Sequence, residues 1–344
     1  MNAHGIHVIG LGSIGTVVAH SLRCIPTPPP VTLLLHREAI YQQFLARGQR
    51  LHLQVGEGGS SVGSAGYDVD FVGDANNSHR RSAAAPIRSL IVAVKACATV
   101  SALRPIQHRL GRQSTICLFQ NGLGQIEALN KHLFPDPLTR PTYMFGIMRH
   151  SAYIKSPLDA VLAGRHGSGA IGVVGDQVSA EASPHCRDLI DRLVAAPIIR
   201  CTEMPWIELR QAQLLKLSTN CMVNPLTALL GVHNGAMLEN AELRRMQRPL
   251  LGEISSVFCQ LPELQGLPDV QARMSVAALE EQLISNIQKT AGNSSSMCED
   301  VRAGRATEIE FINGWVVRQG QEMGIACPIN RCLVQLILAR SRLQ

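Results

Sequence analysis

One segment of the chain places a cation and two carboxamides at helical spacing among apolar residues. Lys216, Asn220 and Asn224 are each four positions apart, so on a helix they lie along one stripe. An ammonium group on so apolar a helix needs an anion or a wet pocket to remain charged. The alternative is a lysine that extends from a half-buried helix to solvent, with the asparagines as its polar edge. Pro225, one residue further, is expected to disturb the helix.

A glycine-rich turn near the start of the chain indicates a dinucleotide site. A short apolar strand leads into a Gly-x-Gly-x-x-Gly turn, and a helical pattern follows. Gly10 permits a tight turn, Gly12 lets the backbone approach a pyrophosphate, and Gly15 allows the helix to pack closely on the strand. The helix N-terminus would then face the phosphates. A purely structural glycine turn is the alternative. The predicted cofactor-binding residues of the turn are Gly10, Leu11, Gly12, Ser13, Ile14 and Gly15.

The ends of later strands carry further candidate contacts. The second strand pattern ends in His36 and Arg37, where a chain that prefers NAD usually has an acidic residue. Arg37 suits a 2′-phosphate and favours NADP, although Glu38 also allows a plain surface ion pair. Lys95 and Asn121 each follow a nearly continuous apolar run, as in buried parallel strands. Open α/β sheets bind ligands at such strand ends, so both residues are candidate contacts for cofactor or substrate.

Composition limits the class of protein. With 344 residues, of which 46% are hydrophobic and 17% charged, the chain fits two compact domains rather than a disordered polymer. The net charge of +6 is dispersed and its basic clusters lack interleaved aromatic residues, so we expect no nucleic-acid partner. No apolar run reaches the roughly eighteen residues of a membrane helix, so we expect no membrane partner. The ten cysteines and twelve histidines show no ligand spacing, which predicts reduced thiols and no metal site.

The order of the elements predicts two domains. Alternating strands and helices in residues 1–203 predict an α/β, Rossmann-type dinucleotide-binding domain, and helical patterns in residues 204–344 predict an all-helical C-terminal domain. The Gly/Ser-rich insertion Gly56–Gly66 is typical of a loop or a hairpin end, and a strand is expected at Pro197–Cys201. The first strand is expected to begin by Ile6, which leaves no room for a signal peptide or presequence. We therefore expect a cytoplasmic rather than a mitochondrial protein.

A polar cluster in the helical half adds candidates that also have ordinary structural explanations. Ser296 and Glu299 fit a capping box at a helix N-terminus, although a cap can also present its hydroxyl to a ligand. Glu308 opens the next helical pattern, where the helix dipole favours a carboxylate. The sequence alone leaves both alternatives open for each residue.

These segments, in this order, resemble the ketopantoate reductase (2-dehydropantoate 2-reductase) family over nearly the whole chain. The helix with Lys216, Asn220 and Asn224 and the Ser-Met…Thr-Glu spacing are together the most specific part. The remaining segments that carry the resemblance are Gly10–Gly15, Arg37, Val94-Lys95-Ala96, Gln120-Asn-Gly-Leu-Gly124, His166-Gly-Ser-Gly169, Asn234-Gly235, Asn293-x-x-Ser-Met297, Thr307-Glu308-Ile309 and Ile312-Asn-Gly314.

The resemblance implies an oxidoreductase that binds NADPH on the Rossmann domain and takes a small 2-oxo acid as substrate. It implies that Lys216 is the general acid and that Glu308 supports it. It assigns Arg37 to the 2′-phosphate, and Lys95 and Asn121 to the nicotinamide. The substrate contacts that it implies are Asn220, Asn224, Asn234, Asn293 and Ser296. A homodimer is possible.

The chemistry of ketone reduction agrees with these implied roles. Hydride addition builds negative charge on the carbonyl oxygen, which a lysine ammonium can stabilise before it donates a proton. Asparagine amides can orient a 2-oxo acid without adding a competing charge. The expected reaction is the NADPH-dependent reduction of ketopantoate to pantoate, in pantothenate biosynthesis. A reductase of another 2-oxo acid or of a β-dicarbonyl compound, and a non-catalytic NADPH-sensing protein, are the alternatives.

Overall fold

The computed structural model divides into two compact units. Unit 1 comprises Met1–Gln120 and Ile126–Leu209, and unit 2 comprises Asn121–Gln125 and Arg210–Gln344. The residues that the structure describes are 5–56, 58–73, 85–163, 167–175 and 184–343, so His166 of the sequence motif lies outside them. Unit 1 is α/β and unit 2 is helical throughout its described residues, which confirms the predicted fold class.

The strands of the described residues belong to unit 1. They are β1 (Ile6–Ile9), β2 (Val31–Leu35), β3 (Leu51–Val55), β4 (Ser61–Ser64), β5 (Tyr67–Phe71), β6 (Ser89–Val92), β7 (Thr115–Leu118), β8 (Thr142–Met148), β9 (Ala152–Ser156), β10 (Asp159–Leu162), β11 (Gly169–Val173) and β12 (Cys201–Glu203).

Helices occur in both units. The α-helices are α1 (Ser13–Arg23), α2 (Glu38–Ala46), α3 (Thr99–Leu103), α4 (Gln125–His132), α5 (Pro184–Ala195), α6 (Trp206–Leu230), α7 (Ala236–Glu239), α8 (Ala241–Phe258), α9 (Val270–Arg273), α10 (Val276–Lys289), α11 (Ser296–Arg302), α12 (Asn313–Glu322) and α13 (Pro328–Arg342). Short 3₁₀ helices lie at Ala96–Ala98, Arg104–Arg109, Pro137–Thr139, Pro262–Leu264 and Ile309–Phe311.

The larger sheet of unit 1 aligns the ends of the strands that carry candidate residues. Its strand order is β12-β11-β8-β7-β6-β1-β2-β5, and every neighbouring pair is parallel except β11 with β8. Every residue of β6 and β7 is buried, as expected for central parallel strands covered on both faces. Because β7, β6, β1 and β2 are parallel neighbours, their carboxyl ends share one edge of the sheet, where such folds bind ligands.

A second sheet of unit 1 contains the Gly/Ser-rich insertion. Its order is β4-β3-β10-β9, and α1 packs against β3, β9 and β10. The insertion forms β4, which pairs with β3 in antiparallel register, so the prediction of a hairpin end is confirmed. His20 of α1 shares a buried hydrogen bond with Ser64 of β4 (Nδ1 to Oγ, 2.8 Å), and Ser64 shares another with Tyr67 (Oγ to Oη, 2.5 Å). These bonds attach the hairpin to the helix that follows the glycine turn.

The strand predicted at Pro197–Cys201 is wrong in its position. The strand β12 begins only at Cys201. The backbone N–H groups of Ile198 and Ile199 donate to Ser21 Oγ, at 3.0 and 3.3 Å, rather than to a neighbouring strand. Arg200 has a positive φ of 46°, which is incompatible with an extended strand. The apolar run is therefore a turn that precedes the strand, with Ile199 buried.

The core of unit 2 forms around the amphipathic helix α8. Its buried face includes Leu250, Leu251, Ile254, Val257 and Phe258, at the spacing of one helical stripe. This face lies among α10, α12 and α13, which contact α8. Among the described residues, no helix is both long and apolar enough to cross a membrane.

Candidate active site

The glycine turn of unit 1 has two glycines that the fold requires and one that faces open space. Gly10 has a φ of 95°, and a Cβ there would lie 2.4 Å from Val94 N. A Cβ on Gly15 would lie 1.9 Å from the carbonyl oxygen of Gly10. A Cβ on Gly12 would have no atom within 4 Å. Gly10 and Gly15 therefore serve packing, whereas Gly12 leaves room for another molecule to approach the backbone.

The N-terminus of α1 has the properties of an anion cradle. Gly12 is its N-cap residue, and no side chain caps the helix through a hydrogen bond. Its first turn has no acidic residue that would compete with a bound anion. Uncapped N–H groups and the positive end of the helix dipole both favour phosphate. Together with the open space at Gly12, these features fit the pyrophosphate of a dinucleotide.

Arg37 and Lys95 follow strands that end at the same edge of the larger sheet. Arg37 is exposed and occupies the N-cap position of α2, two residues after β2 ends. Lys95 is half-buried and precedes the 3₁₀ helix Ala96–Ala98. Gln120 Nε2 donates to Val94 O (2.9 Å) and to Thr99 Oγ1 (2.6 Å), which holds the Lys95 loop beside the end of β7. This role of Gln120 was not predicted from the sequence, although the residue begins the motif Gln120-Asn-Gly-Leu-Gly124.

In unit 2, one amide joins a lysine to a carboxylate. Lys216 is half-buried on α6, and its Nζ donates to Asn121 Oδ1 at 3.0 Å. Asn121 Nδ2 donates to Glu308 Oε2 at 3.3 Å. Glu308 is 5% exposed. The amide orientation follows from its neighbours, because an ammonium can only donate and an ionised carboxylate can only accept. The structure thus brings together three predicted site residues that are far apart in sequence.

A second glycine turn places Asn121 beside Glu308. Gly122 has a φ of 77°, and a Cβ there would lie 2.3 Å from Phe311 O. The N–H of Leu123 donates to the same carbonyl at 2.8 Å. Phe311 ends the 3₁₀ helix that begins immediately after Glu308. The close approach of the two backbones explains why this turn requires glycine, and it fixes Asn121 next to the carboxylate.

The helix that carries Lys216 continues through its proline. The helix α6 runs unbroken from Trp206 to Leu230 with Pro225 inside it. Asn220 is half-buried one turn after Lys216, and Asn224 is buried one turn further. Burial raises the pKa of the Cys221 thiol well above its usual range, so this neighbour is a protonated, apolar part of the core.

Two other predicted substrate residues meet through the backbone. The N–H of Asn234 donates to the carbonyl of Asn293 at 3.0 Å. Asn234 Nδ2 donates to Thr290 Oγ1 at 3.2 Å, whereas its buried Oδ1 has no hydrogen-bond partner among the described residues. Asn293 is exposed. The Asn234 oxygen is therefore an unused acceptor in a nearly buried position.

The capping box predicted at Ser296 is wrong by one residue. Ser295 is the N-cap of α11, and its Oγ accepts from Cys298 N–H at 3.1 Å and shares a 2.7 Å hydrogen bond with Thr227 on α6. Ser296 is the first residue of the helix and is exposed. A hydrogen bond from Ser294, aided by the Arg302 guanidinium, holds the pKa of Glu299 below its usual range. Three consecutive serines offer the same chemistry, so spacing alone could not identify the cap.

No group of ligands suited to a metal is assembled in the part of the chain that the structure describes. Clusters of three or more histidine, cysteine, aspartate or glutamate residues are absent there. The described cysteines have no disulfide partners.

Two family models match the strand-rich and the helical parts of the chain. The family model "Ketopantoate reductase PanE/ApbA" matches residues 6–176, and "Ketopantoate reductase PanE/ApbA C terminal" matches residues 208–341. A 2-dehydropantoate 2-reductase of Vibrio cholerae is 33% identical over 248 residues, which cover 72% of this chain and 76% of that protein. A ketoisovalerate reductase of Gibberella fujikuroi is 24% identical over 366 residues, with coverages of 94% and 80%.

A solved structure shares the whole fold. The ternary structure of D-mandelate dehydrogenase with NADH and anilino(oxo)acetate superposes with a TM-score of 0.77 at 19% identity, and 98% of each chain is covered. Such a low identity establishes the fold alone. The two family matches, by contrast, span both the strand-rich and the helical parts of the chain. The chain therefore belongs to the ketopantoate reductase family and is an oxidoreductase with a nicotinamide-binding Rossmann domain.

Proposed function

We propose that the protein reduces ketopantoate to pantoate with NADPH, using Lys216 as the general acid. The observation that carries this proposal is the hydrogen-bonded series from Lys216 through Asn121 to Glu308. A half-buried ammonium held by an amide, with a buried carboxylate behind that amide, is suited to meeting negative charge that develops on a carbonyl oxygen. The snorkelling alternative is less favourable, because the lysine head group points to a protein acceptor.

Lys216 would act on the oxygen of the reacting ketone. Its ammonium would stabilise the developing alkoxide and then donate a proton to it, a contribution of about a hundredfold to ten-thousandfold. Glu308 would act through Asn121, because the carboxylate holds Nδ2 and thereby keeps Oδ1 facing the lysine. The amide would in this way restrict the ammonium to one position before substrate arrives.

The cofactor would be held by residues of unit 1. The backbone of Gly10–Gly15 would bind the pyrophosphate, and the exposed Arg37 would bind a 2′-phosphate through a charge-assisted hydrogen bond. When bound, NADPH supplies the hydride for the carbonyl carbon. Lys95 and Asn121 would contact the nicotinamide end, as the family resemblance implies.

The substrate would be oriented by amides and hydroxyls of unit 2. The proposed contacts are Asn220, Asn224, Asn234, Asn293 and Ser296. Among these, Asn234 supports a substrate that carries a hydroxyl group. Its nearly buried Oδ1 has no partner among the described residues, and an acceptor in such a place favours a ligand that can donate. Ketopantoate has a hydroxyl that can donate, whereas ketoisovalerate does not.

The second candidate is a reductase of a 2-oxo acid without that hydroxyl. The relative in Gibberella fujikuroi that is named for ketoisovalerate favours this alternative. The two candidates differ in what the Asn234 oxygen does. A site built for a hydroxyl rejects a substrate that lacks it, because the polar groups of the site are then left unpaired.

A substrate panel tests both candidates. NADPH oxidation is measured with purified protein and with ketopantoate, ketoisovalerate and pyruvate. We expect kcat/KM for ketopantoate to exceed that for ketoisovalerate by about a hundredfold or more, and Asn234→Ala to remove most of that preference. Equal values in the parent protein would favour the second candidate. No oxidation with any 2-oxo acid would contradict the proposed reaction and support a binding protein instead.

A further inference from the structure

Pro225 removes one hydrogen bond from α6, and a side chain from another element replaces it. In a regular helix the N–H of residue 225 would donate to the carbonyl of Cys221, four residues earlier. Proline has no N–H, so this carbonyl needs another donor. It accepts from Nδ2 of Asn313 at 2.9 Å. Asn313 is the first residue of α12 and is 0% exposed.

The orientation of the Asn313 amide is set by a buried network. Asn313 Nδ2 also donates to Asn330 Oδ1 at 2.9 Å, and Asn330 Nδ2 donates to Glu253 Oε2 at 2.8 Å. The backbone N–H groups of Ile329 and Asn330 donate to the same carboxylate at 2.8 and 3.0 Å. Glu253 therefore lies at the N-terminus of α13, where the helix dipole favours an anion. Both acceptors therefore engage Nδ2, whereas the buried Oδ1 of Asn313 has no hydrogen-bond partner among the described residues.

The segment that carries Glu308 is thus attached to the segment that carries Lys216 at two points. At one end, Asn121 joins Glu308 to Lys216. At the other end, five residues further along each segment, Asn313 joins the carbonyl of Cys221. Both attachments lie within unit 2. A shift of residues 308–313 along α6 would break the buried attachment at Asn313. It would also carry the carboxylate, together with the Asn121 turn that is bonded to Phe311, away from the Lys216 ammonium.

We infer that Asn313 is a positioning residue for the proposed reaction. By replacing the hydrogen bond that Pro225 removes, its amide sets the register of the Glu308 segment on α6 and so the placement of Glu308 and Asn121 at the Lys216 ammonium. This role rests on the proposed function. Asn313 does not touch the reacting atoms, so its loss should reduce the rate of the bound complex more than substrate binding.

A double-mutant cycle tests this role, because Pro225 is the reason that the Cys221 carbonyl needs a donor. Asn313→Ala, Pro225→Ala and the double variant are compared with the parent for kcat, KM and urea midpoint. We expect Asn313→Ala to lower kcat by about thirtyfold with KM changed less than about threefold. Pro225→Ala should stay within about threefold of the parent kcat, because the alanine has a backbone N–H that can donate to the Cys221 carbonyl. The double variant should recover part of the urea midpoint, because the alanine N–H satisfies the Cys221 carbonyl, but it should keep the low kcat of Asn313→Ala, because the attachment between the two segments is still missing.

Ser255→Ala is the matched control for loss of a buried hydrogen bond in unit 2. Ser255 Oγ donates to the Met274 carbonyl at 2.6 Å and is connected to neither attachment. We expect this control to lower the urea midpoint while kcat of the folded enzyme stays at the parent value. A purely structural role for Asn313 would give the same pattern, and that outcome would overturn the inference.

The folding of the variants and the activity of the parent protein also test the inference. If Asn313→Ala does not fold, the double variant should still fold, because its helix supplies the missing bond, and its kcat should lie about thirtyfold below that of Pro225→Ala, because the attachment is absent. Failure of both to fold, or a double variant with the parent kcat, would contradict the inference. A parent protein without activity on any 2-oxo acid would instead contradict the proposed function, and the urea midpoints alone would then report whether Asn313 and Pro225 are coupled.

Discussion

The candidate cofactor turn of unit 1 and the candidate proton-donor site of unit 2 use different parts of their residues. The turn presents backbone groups from Gly10 to Gly15, which are contiguous in the chain. The proton-donor site presents side chains of Asn121, Lys216 and Glu308, and the hydrogen bonds between them span 95 and 187 residues. The first site is local and depends on the absence of side chains. The second exists only after folding has brought distant side chains together.

This difference predicts opposite sensitivities to mutation. Added volume should damage a site made of backbone, because a new Cβ occupies the space that a phosphate or another strand needs. Removal of a functional group should damage a site made of side chains, because the remaining polar groups lose their partners.

Alanine at two glycines of the turn should separate packing from ligand approach. Gly15→Ala places a Cβ against the Gly10 carbonyl, so we expect a loss of about 3 kcal/mol in the free energy of unfolding together with a large loss of NADPH affinity. Gly12 has φ −75° and ψ −167°, which alanine also adopts. Gly12→Ala should therefore keep the unfolding free energy within about 0.5 kcal/mol and weaken NADPH binding about a hundredfold.

Urea unfolding and NADPH fluorescence titration measure the two effects on the same protein samples. Gly175→Ala is less suitable as a control, because its φ is 80°. Gly252, which lies on α8 of unit 2 and has open space at its Cβ position, provides the matched alanine control. Parent-like NADPH affinity in Gly12→Ala would contradict a pyrophosphate site at this turn.

Arg37→Ala tests whether a side chain adds selectivity for NADPH over NADH to a site made of backbone groups. Loss of a charge-assisted hydrogen bond of about 1.5 to 3 kcal/mol should weaken NADPH binding roughly tenfold to a hundredfold. Binding of NADH should change little, because NADH has no 2′-phosphate. The ratio of kcat/KM for the two cofactors, measured in parent and variant, checks this expectation. A parent protein that uses NADH and NADPH equally well would remove the role given to Arg37.

Acid should lower the free energy of unfolding through two histidines on the elements that flank the glycine turn, β1 and α1. Burial lowers the pKa of His20 on α1 from 6.5 to about 4, with a smaller contribution from His52, and burial followed by Arg109 lowers that of His7 on β1 to about 4. Below pH 6.5 the unfolded chain gains protons that the folded protein does not take up until about pH 4, so stability falls as pH falls through this window. At pH 5.5 each histidine should cost about 1.4 kcal/mol relative to pH 7.5.

His20→Asn isolates one of these two contributions. The asparagine amide can occupy the position of Nδ1 and keep a hydrogen bond to Ser64, but it does not titrate. Urea unfolding at pH 7.5 and 5.5 should show a pH dependence that is smaller than that of the parent protein by about 1.4 kcal/mol. An unchanged pH dependence would mean that His20 is protonated to the same extent in the folded and unfolded states.

The same contrast explains how much the sequence could predict. The glycine turn, the parallel strands and the helical second half follow from local patterns, and the structure has all of them. The pattern could not distinguish Ser295 from Ser296 as the cap, since the choice depends on where the backbone leaves the helix. It also could not reveal that the backbone N–H groups of Ile198 and Ile199 donate hydrogen bonds to Ser21, which lies on α1 and is distant in sequence.

The contacts of the proton-donor site also could not be predicted from local sequence patterns. Because it follows a strand, Asn121 was a candidate contact for cofactor or substrate, but its hydrogen bonds to Lys216 and Glu308 could not be predicted from that position. Pro225 was expected to disturb the helix. In the structure the helix continues, and Asn313 Nδ2 donates to the Cys221 carbonyl, which has no donor at residue 225. Each of these contacts joins side chains that no local period connects, so only the folded chain displays them.

If the backbone of unit 1 holds the cofactor and Lys216 of unit 2 supplies the proton, a single-turnover measurement on Lys216→Ala should separate cofactor binding from proton donation. The variant and an exposed-lysine control, Lys289→Ala, are loaded with NADPH and mixed with excess ketopantoate. We expect both to bind NADPH within about threefold of the parent affinity, and only Lys216→Ala to oxidise it about a hundredfold or more slowly. Oxidation by Lys216→Ala at nearly the parent rate would contradict the account.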